Sequence, residues 1–241
     1  MRSAILRRVV SPCVVLCALL AVSLVLGTCS CMAATMFGAP EQPADDLPDY
    51  QEQYAPRWQR VLEVERAAPS FNTQGKGMNS VDAAQWRELL KQAKNAPETQ
   101  KLRLINGFFN HWRPMDDAAA WNVPEYWAAP GEFIRNRGGD CEDYAIAKYF
   151  ALRYLGFPPE RLRLTTIRQV SADGKPVPLL HAVLVAQSAG NWFVLDNNAR
   201  PRISIMPHTQ YKGRFVPLFS MNELGAWKHR DDPGGQRESS P

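Results

Sequence analysis

Beyond residue 34 this 241-residue sequence contains one cysteine, Cys141; the other four, Cys13, Cys17, Cys29 and Cys31, crowd into the first 34 positions. One thiol cannot form an internal disulfide, so a scaffold held by bridges is excluded for the body of the chain. CxxC and HxxxH spacings are missing, which argues against a zinc centre, and no segment has the ligand pattern of an EF-hand loop. There is no internal repeat. Net positive charge is scarce too. The formal net charge of +4 falls to +1 when residues 1–34 are set aside, because these hold Arg2, Arg7 and Arg8 and no acidic residue. No basic stripe with interleaved aromatics remains, so nucleic acid is not an expected partner. Aromatics are not scarce: seven Trp and seven Tyr exclude a chain disordered over most of its length.

The start of the chain reads as an address. MRSAILRR is basic, PCVVLCALLAVSLVLGTC is apolar, and small residues follow at CMAAT. That order predicts a secretory signal over 1–34, hence export to the periplasm; an uncleaved inner-membrane anchor is the alternative. Residues 35–54, rich in Pro, Asp and Gln, read as a linker or irregular arm, and 231–241 as a disordered tail. The domain is expected over 55–230. Within it, helical spacing predicts helices over Arg57 to Ala67, Ser80 to Ala93, from Pro97 with Leu102, Ile105, Phe108 and Phe109 on its apolar face, and from Cys141 to Leu155. An irregular aromatic stretch separates the last two. The period then changes to two: Leu162–Val170, His181–Gln187, Asn191–Asn197, Ile203–Met206 and Arg214–Ser220 read as strands. Helices first and antiparallel strands after predict an α+β fold.

The stretch GGDCEDYAIAKYFALRYLG, Gly138 to Gly156, carries the chemistry. Asp140 stands where a helix N-cap belongs and Cys141 at the first helical position. There the helix dipole favours a thiolate, and free backbone N–H groups can face a developing oxyanion. Yet Asp140, Glu142 and Asp143 flank the thiol, and nearby carboxylates make it harder to ionise. Two readings stay open for them: helix capping with favourable first-turn charge, or oxygen ligands for a calcium ion that cancels their field. A nucleophilic thiol needs a base. His181 opens the apolar strand AVLVA, a setting in which a histidine is commonly a packed core residue. If Gln187 pairs with Trp192 across the Ser-Ala-Gly turn, Asp196 falls opposite Val183 and diagonal to His181, within reach to orient it. A one-residue slip would separate them.

GGDCEDYAIAKYFALRYLG, followed by LRLTTIRQV, HAVLV and WFVLDN, resembles the bacterial transglutaminase-like cysteine proteinases, the LapG family. The flanks INGFFNHWRPMDDAAAWNVPEYWAAP and RFVPLFSMN are similar as well, so the resemblance covers about residues 100–222. It implies a papain-like, transglutaminase-like core with N-terminal helices packed on an antiparallel sheet, with Cys141 as nucleophile, His181 as base and Asp196 as its orienter. It implies calcium dependence, with Asp140, Glu142 and Asp143 at the metal-site positions. It further implies a periplasmic endopeptidase that cuts the N-terminal region of a large surface adhesin near paired alanines, promoting biofilm dispersal. The periplasmic domain of an inner-membrane cyclic-di-GMP receptor is the implied inhibitory partner, for which the aromatic segment Trp121 to Trp127 is a candidate docking surface. Trp112, Trp121 and Trp127 are candidate side-chain oxyanion donors. Ala182 after the histidine and Glu125 depart from the family's pattern; both read as packing differences that leave the cleavage sequence open. Three other functions fit the same residues: a transglutaminase or amidase acting on Gln side chains, a zinc site built from Cys141, His181 and Asp196, and a non-catalytic binding module.

Overall fold

The computed structural model describes residues 41–44, 48, 50–171, 175–211 and 215–229. The expected signal segment 1–34 and tail 231–241 lie outside them. Among the described residues no helix is long and apolar enough to cross a membrane.

The fold is α+β. Helices α1 (Ala55–Ala67), α2 (Ser80–Ala93) and α3 (Glu98–Asn110) come first. Helix α6 (Cys141–Tyr154) lies between them and the sheet. The sheet contains β1 (Glu41–Pro43), β4 (Leu162–Val170), β5 (Pro176–Ser188), β6 (Asn191–Leu195), β7 (Met206–Pro207), β8 (Phe215–Asn222) and β9 (Gly225–His229). Their order is β1-β9-β8-β4-β5-β6-β7, antiparallel throughout. The face carrying Leu162, Leu164, Leu184, Ala186, Phe219 and Met221 meets α6 in the main core. Alternation sends Ile167, Val183, Val185 and Val194 to a smaller cluster on the opposite face.

Several boundaries differ from the sequence reading. Glu41–Pro43, expected to be irregular arm, pairs with β9 as an edge strand, where a proline is tolerated, and Tyr50–Tyr54 forms a short π-helical segment leading into α1. Proline and aspartate content marked this stretch as loop, but an edge strand needs partners on one side only. Ile203–Ser204–Ile205 is not strand; only Met206 and Pro207 pair, with Val194 and Phe193. The aromatic stretch holds two short helices, α4 (Asp117–Trp121) and α5 (Pro130–Asn136), too brief for periodicity to reveal. The N-cap of α2 is Asn79, whose side chain accepts from the Val81 and Asp82 N–H groups.

A chain of contacts fixes where α6 begins. Asp82, buried on α2, accepts from Arg137 Nε at 2.7 Å. Arg137 holds a positive φ of 54° and is followed by strand β3 (Gly138–Gly139), which pairs in parallel with β2 (Arg113–Pro114). Glycine is required in β3 for space. A Cβ on Gly138 would overlap the Arg113 carbonyl oxygen, and one on Gly139 would overlap Asp143 Oδ2. Gly139→Ala is therefore expected to cost about 1–3 kcal/mol, roughly 2–12 °C in Tm, because the obstacle is a buried carboxylate. Thermal unfolding checks this.

A second prediction concerns acid. His229, buried on β9, contacts Ser220 Oγ through Nε2 at 3.0 Å, and its Nδ1 has no partner. Burial, then the Arg163 charge, lowers its pKa to about 4. The unfolded chain takes up a proton near pH 6.5 and the folded chain only near 4, so this site's stabilisation is complete above 6.5 and is lost as pH falls to 4. The loss reaches about 3 kcal/mol. His229→Gln should flatten Tm against pH across that window relative to the parent.

Candidate functional site

Cys141 is the first residue of α6, and two neighbours touch its sulfur. The Ala182 N–H of β5 donates to Sγ at 3.3 Å, and the thiol donates to Glu142 Oε2 at 3.1 Å. The β5–β6 register places Gln187 opposite Trp192 and Leu184 opposite Leu195, the pairing expected from the turn. One residue beyond the paired stretch, Asp196 Oδ1 lies 2.8 Å from His181 Nε2. With Nε2 committed to Asp196, Nδ1 is the ring nitrogen left for the thiol. Cys141 and His181 share the wall of a cavity of about 260 Å³ with Trp127, Glu125, Asp140 and Glu142. The sequence-predicted nucleophile, base and orienter thus meet at one cleft. Ala182 and Glu125, read as packing differences, both belong to it.

The loop carrying Asp196 is held from below. Asn198 N–H donates to Asp196 Oδ1 at 2.8 Å, and Asn110 of α3 donates from Nδ2 to the Asp196 and Arg202 carbonyls at 2.8 and 2.9 Å. Lys148 of α6 is fully buried and donates from Nζ to the Leu195 carbonyl at 3.3 Å. Burial lowers its pKa to about 7, opposed by the Asp196 charge. Sequence reasoning missed Lys148 and Asn110. A lysine seven positions after the cysteine, within an apolar helix, was the available signal. Lys148→Met is expected to cut turnover roughly ten- to hundredfold by loosening Asp196, while Tm moves little, since a buried cation is removed together with its bond. Steady-state kinetics beside thermal unfolding checks this.

The carboxylates separate into two sets. Asp117, Asp140 and Glu142 each offer an oxygen, and these atoms lie within 4.8 Å of one another. Asp140 occupies the N-cap position of α6 but makes no capping bond with its side chain; its Oδ1 and Asp117 Oδ1 are buried without partners. Burial above all, then the Glu142 charge, raises Asp140 to about 9. Burial raises Glu142 to about 7 and pushes Asp117 upward as well. The Cys141 thiol is pushed far above its ordinary value, by burial first and then by Glu142 and Asp140. Three clustered carboxylates, two of them with an orphaned oxygen and with no sulfur or imidazole among them, fit a hard divalent cation such as calcium. Asp143, expected as a ligand beside them, lies outside this cluster. Its Oδ1 accepts the Ala128 N–H at 2.7 Å, and its Oδ2, buried without a hydrogen-bond partner, packs against Gly139, so it pins the α5 approach to α6. Asp117 takes its place in the cluster.

Of the three tryptophans considered as oxyanion donors, only Trp127 lines the cavity, and its Nε1 donates to Glu125 Oε1 at 3.1 Å. Trp112 packs in the core against Phe109 and Phe133, and Trp121 stacks on Tyr126 at 4.9 Å. The backbone N–H groups at the start of α6 remain the donors the site offers.

Residues 78–234 match the family described as bacterial transglutaminase-like cysteine proteinase BTLCP. Solved structures of Legionella pneumophila LapG in calcium-bound and EGTA-treated forms are similar to this chain. Each is 26% identical and covers 70% of this chain and 86% of its own, with a TM-score of 0.50. No curated protein sequence matches the chain.

Proposed function

The chain belongs to the bacterial transglutaminase-like cysteine proteinases, and from that premise we propose that Cys141, His181 and Asp196 are the nucleophile, the base and the orienting acid of this cysteine protease. The observation that carries the assignment is the His181 Nε2–Asp196 Oδ1 contact of 2.8 Å at the cleft wall shared with Cys141.

In this reading His181 Nδ1 accepts the thiol proton as Cys141 Sγ attacks the scissile carbonyl. The oxyanion faces the first-turn N–H groups of α6. His181 then returns the proton to the leaving amine, and Asp196 holds the ring in the tautomer required for both transfers. Water hydrolyses the thioester with His181 again as base, restoring the thiol and releasing the new carboxyl end. Asp117, Asp140 and Glu142 would hold a calcium ion, which supplies positive charge beside the thiol and orders the cleft. The similarity to calcium-bound LapG supports that choice of metal. With it resolved into ligands, the puzzle of a nucleophile among carboxylates has a physical answer: their field is arranged for a cation.

The physiological reaction proposed is cleavage, in the periplasm, of the N-terminal region of a large surface adhesin near paired alanines, releasing cells from a biofilm. The periplasmic domain of an inner-membrane cyclic-di-GMP receptor is the proposed inhibitor. Resemblance to the LapG family supports both. Incubating an adhesin N-terminal fragment with the purified chain should give one cut, absent with Cys141→Ala. An intact fragment with the parent enzyme would reject the adhesin as substrate.

A further inference from the structure

Strand β5 is longer than its partner on one side. β4 pairs with Leu180–Ala186, whereas β6 pairs only with Leu184–Ser188 and ends at Leu195. Register tells which backbone groups this leaves over. Ala189 and Gly190, with φ of 48° and 77°, make a two-residue hairpin turn, so Ser188 and Asn191 are hydrogen-bonded across it. By alternation Ala186, Leu184, Ala182 and Leu180 direct their N–H and C=O groups to the β6 side, and the residues between them to β4. The thiol contact agrees: the Ala182 N–H, beyond the last β6 pair, donates to Cys141 Sγ at 3.3 Å. Cys141 thus stands where β6 would have continued.

Leu180 is next on that edge, about 7 Å further along. Among the described residues no strand pairs with it there, because the chain after Leu195 turns back on itself. The Ala199 N–H donates to the Asp196 carbonyl at 3.3 Å, and the Asn198 N–H to Asp196 Oδ1 at 2.8 Å. Leu180 is 45% exposed and lines the catalytic cavity with Cys141 and His181. The opening is short. Pro178 has no N–H to offer, and the β4–β5 register shifts between Arg168 and Val170, so the regular edge ends just past Leu180. An unpaired edge invites a strand, and the stretch left open is the one beside the thiol.

We propose that the substrate binds as an added strand on this edge of β5, its backbone N–H and C=O pairing with the Leu180 C=O and N–H while Cys141 attacks a carbonyl beside Ala182. This rests on the protease reading above and specifies its substrate class: an extended segment, outside any helix and not already paired in a sheet, read through its backbone. Leu180 is two residues from Ala182, so the substrate residue paired with it lies roughly one to three residues from the scissile bond. Neighbouring substrate residues turn their backbone groups away from β5, so the requirement alternates along the peptide.

The test uses the full chain in calcium-containing buffer and quenched fluorescent peptides with a central alanine pair. One amide N–H at a time is replaced by an ester oxygen, from three residues before the scissile bond to three after it, the scissile bond excepted. An ester keeps the chain extended and lacks the donor. One position is expected to lose about five- to tenfold in kcat/KM, mainly through KM, with its immediate neighbours within about twofold of the all-amide peptide. Leu180→Pro, which removes an N–H that β4 does not use, should lower kcat/KM for the all-amide peptide at least about tenfold, while iodoacetamide labels Cys141 at the parent's rate. The ester series needs no variant, so it decides the matter if Leu180→Pro fails to fold. Esters all within about twofold, or unchanged cleavage by a folded Leu180→Pro, overturn the added strand and leave the protease standing. No all-amide peptide cut by the parent enzyme, when the Cys141→Ala control is equally silent, takes down the protease reading and the added strand with it.

Discussion

Asp196→Asn should lower kcat/KM by about 10–100-fold with almost no change in Tm. Two bonds converge on Asp196 Oδ1, from His181 Nε2 and from the Asn198 N–H, both at 2.8 Å. Asparagine has the same shape and keeps an oxygen that can accept the Asn198 N–H, so the turn survives. The same oxygen still accepts from His181 Nε2, so the ring keeps its tautomer, but it carries no charge, and the imidazolium formed when the thiol gives up its proton loses its electrostatic partner. Asp196→Ala removes both bonds and is expected to lose activity and about 1–3 kcal/mol of stability. Steady-state cleavage of the adhesin fragment beside thermal unfolding separates the two variants. A large fall in Tm for Asp196→Asn would show that the carboxylate holds the loop and leave its catalytic role unsupported.

The second large effect concerns calcium. Removing it with EGTA is expected to reduce cleavage at least about 100-fold, because the thiol is then left buried beside Glu142 and Asp140 without a compensating charge. The ligand set makes a sharper prediction. Asp117→Asn, Asp140→Asn or Glu142→Gln should each weaken calcium binding by at least about tenfold, read by titration calorimetry. Asp143→Asn should leave the affinity within about threefold, since Asp143 Oδ1 is spent on the Ala128 N–H. Asp117→Asn can still accept the Tyr126 N–H that Asp117 Oδ2 now binds at 2.5 Å, so its effect on calcium is not a folding artefact. Equal loss of affinity with Asp143→Asn would restore the set expected from adjacency in sequence.

That last contrast shows where sequence stopped being informative. The His181–Asp196 geometry was legible because a short hairpin turn fixes register, and extending that register one residue past the last ladder pair, Leu184–Leu195, puts Asp196 opposite Val183 on the His181 face. The first three long helices were legible because each has an apolar stripe. Helix α6 is different: Asp143 through Tyr149 are all buried, so no polar face tells which first-turn carboxylate points to metal and which to protein. Asp117 is hidden for another reason. It lies on the five-residue helix α4, 24 positions before Cys141, and reaches the site only because β2 and β3 pair through Gly138 and Gly139. Strand β9 was missed because Gly-Ala-Trp-Lys-His is short and begins with glycine, although pairing with β8 and β1 makes it a central strand.

The most direct test of a thiol activated by His181 and a nearby cation needs no substrate. The rate at which iodoacetamide alkylates Cys141, the one cysteine beyond residue 34, can be measured for the parent with calcium, the parent with EGTA, and His181→Ala with calcium, in chains carrying serine at positions 13, 17, 29 and 31. The calcium-loaded parent is expected to react far faster than a free thiol such as glutathione at the same pH, with both other samples slower by at least about tenfold. Equally sluggish labelling in all three would contradict the account, leaving Cys141 a buried thiol and the carboxylates around it a helix start.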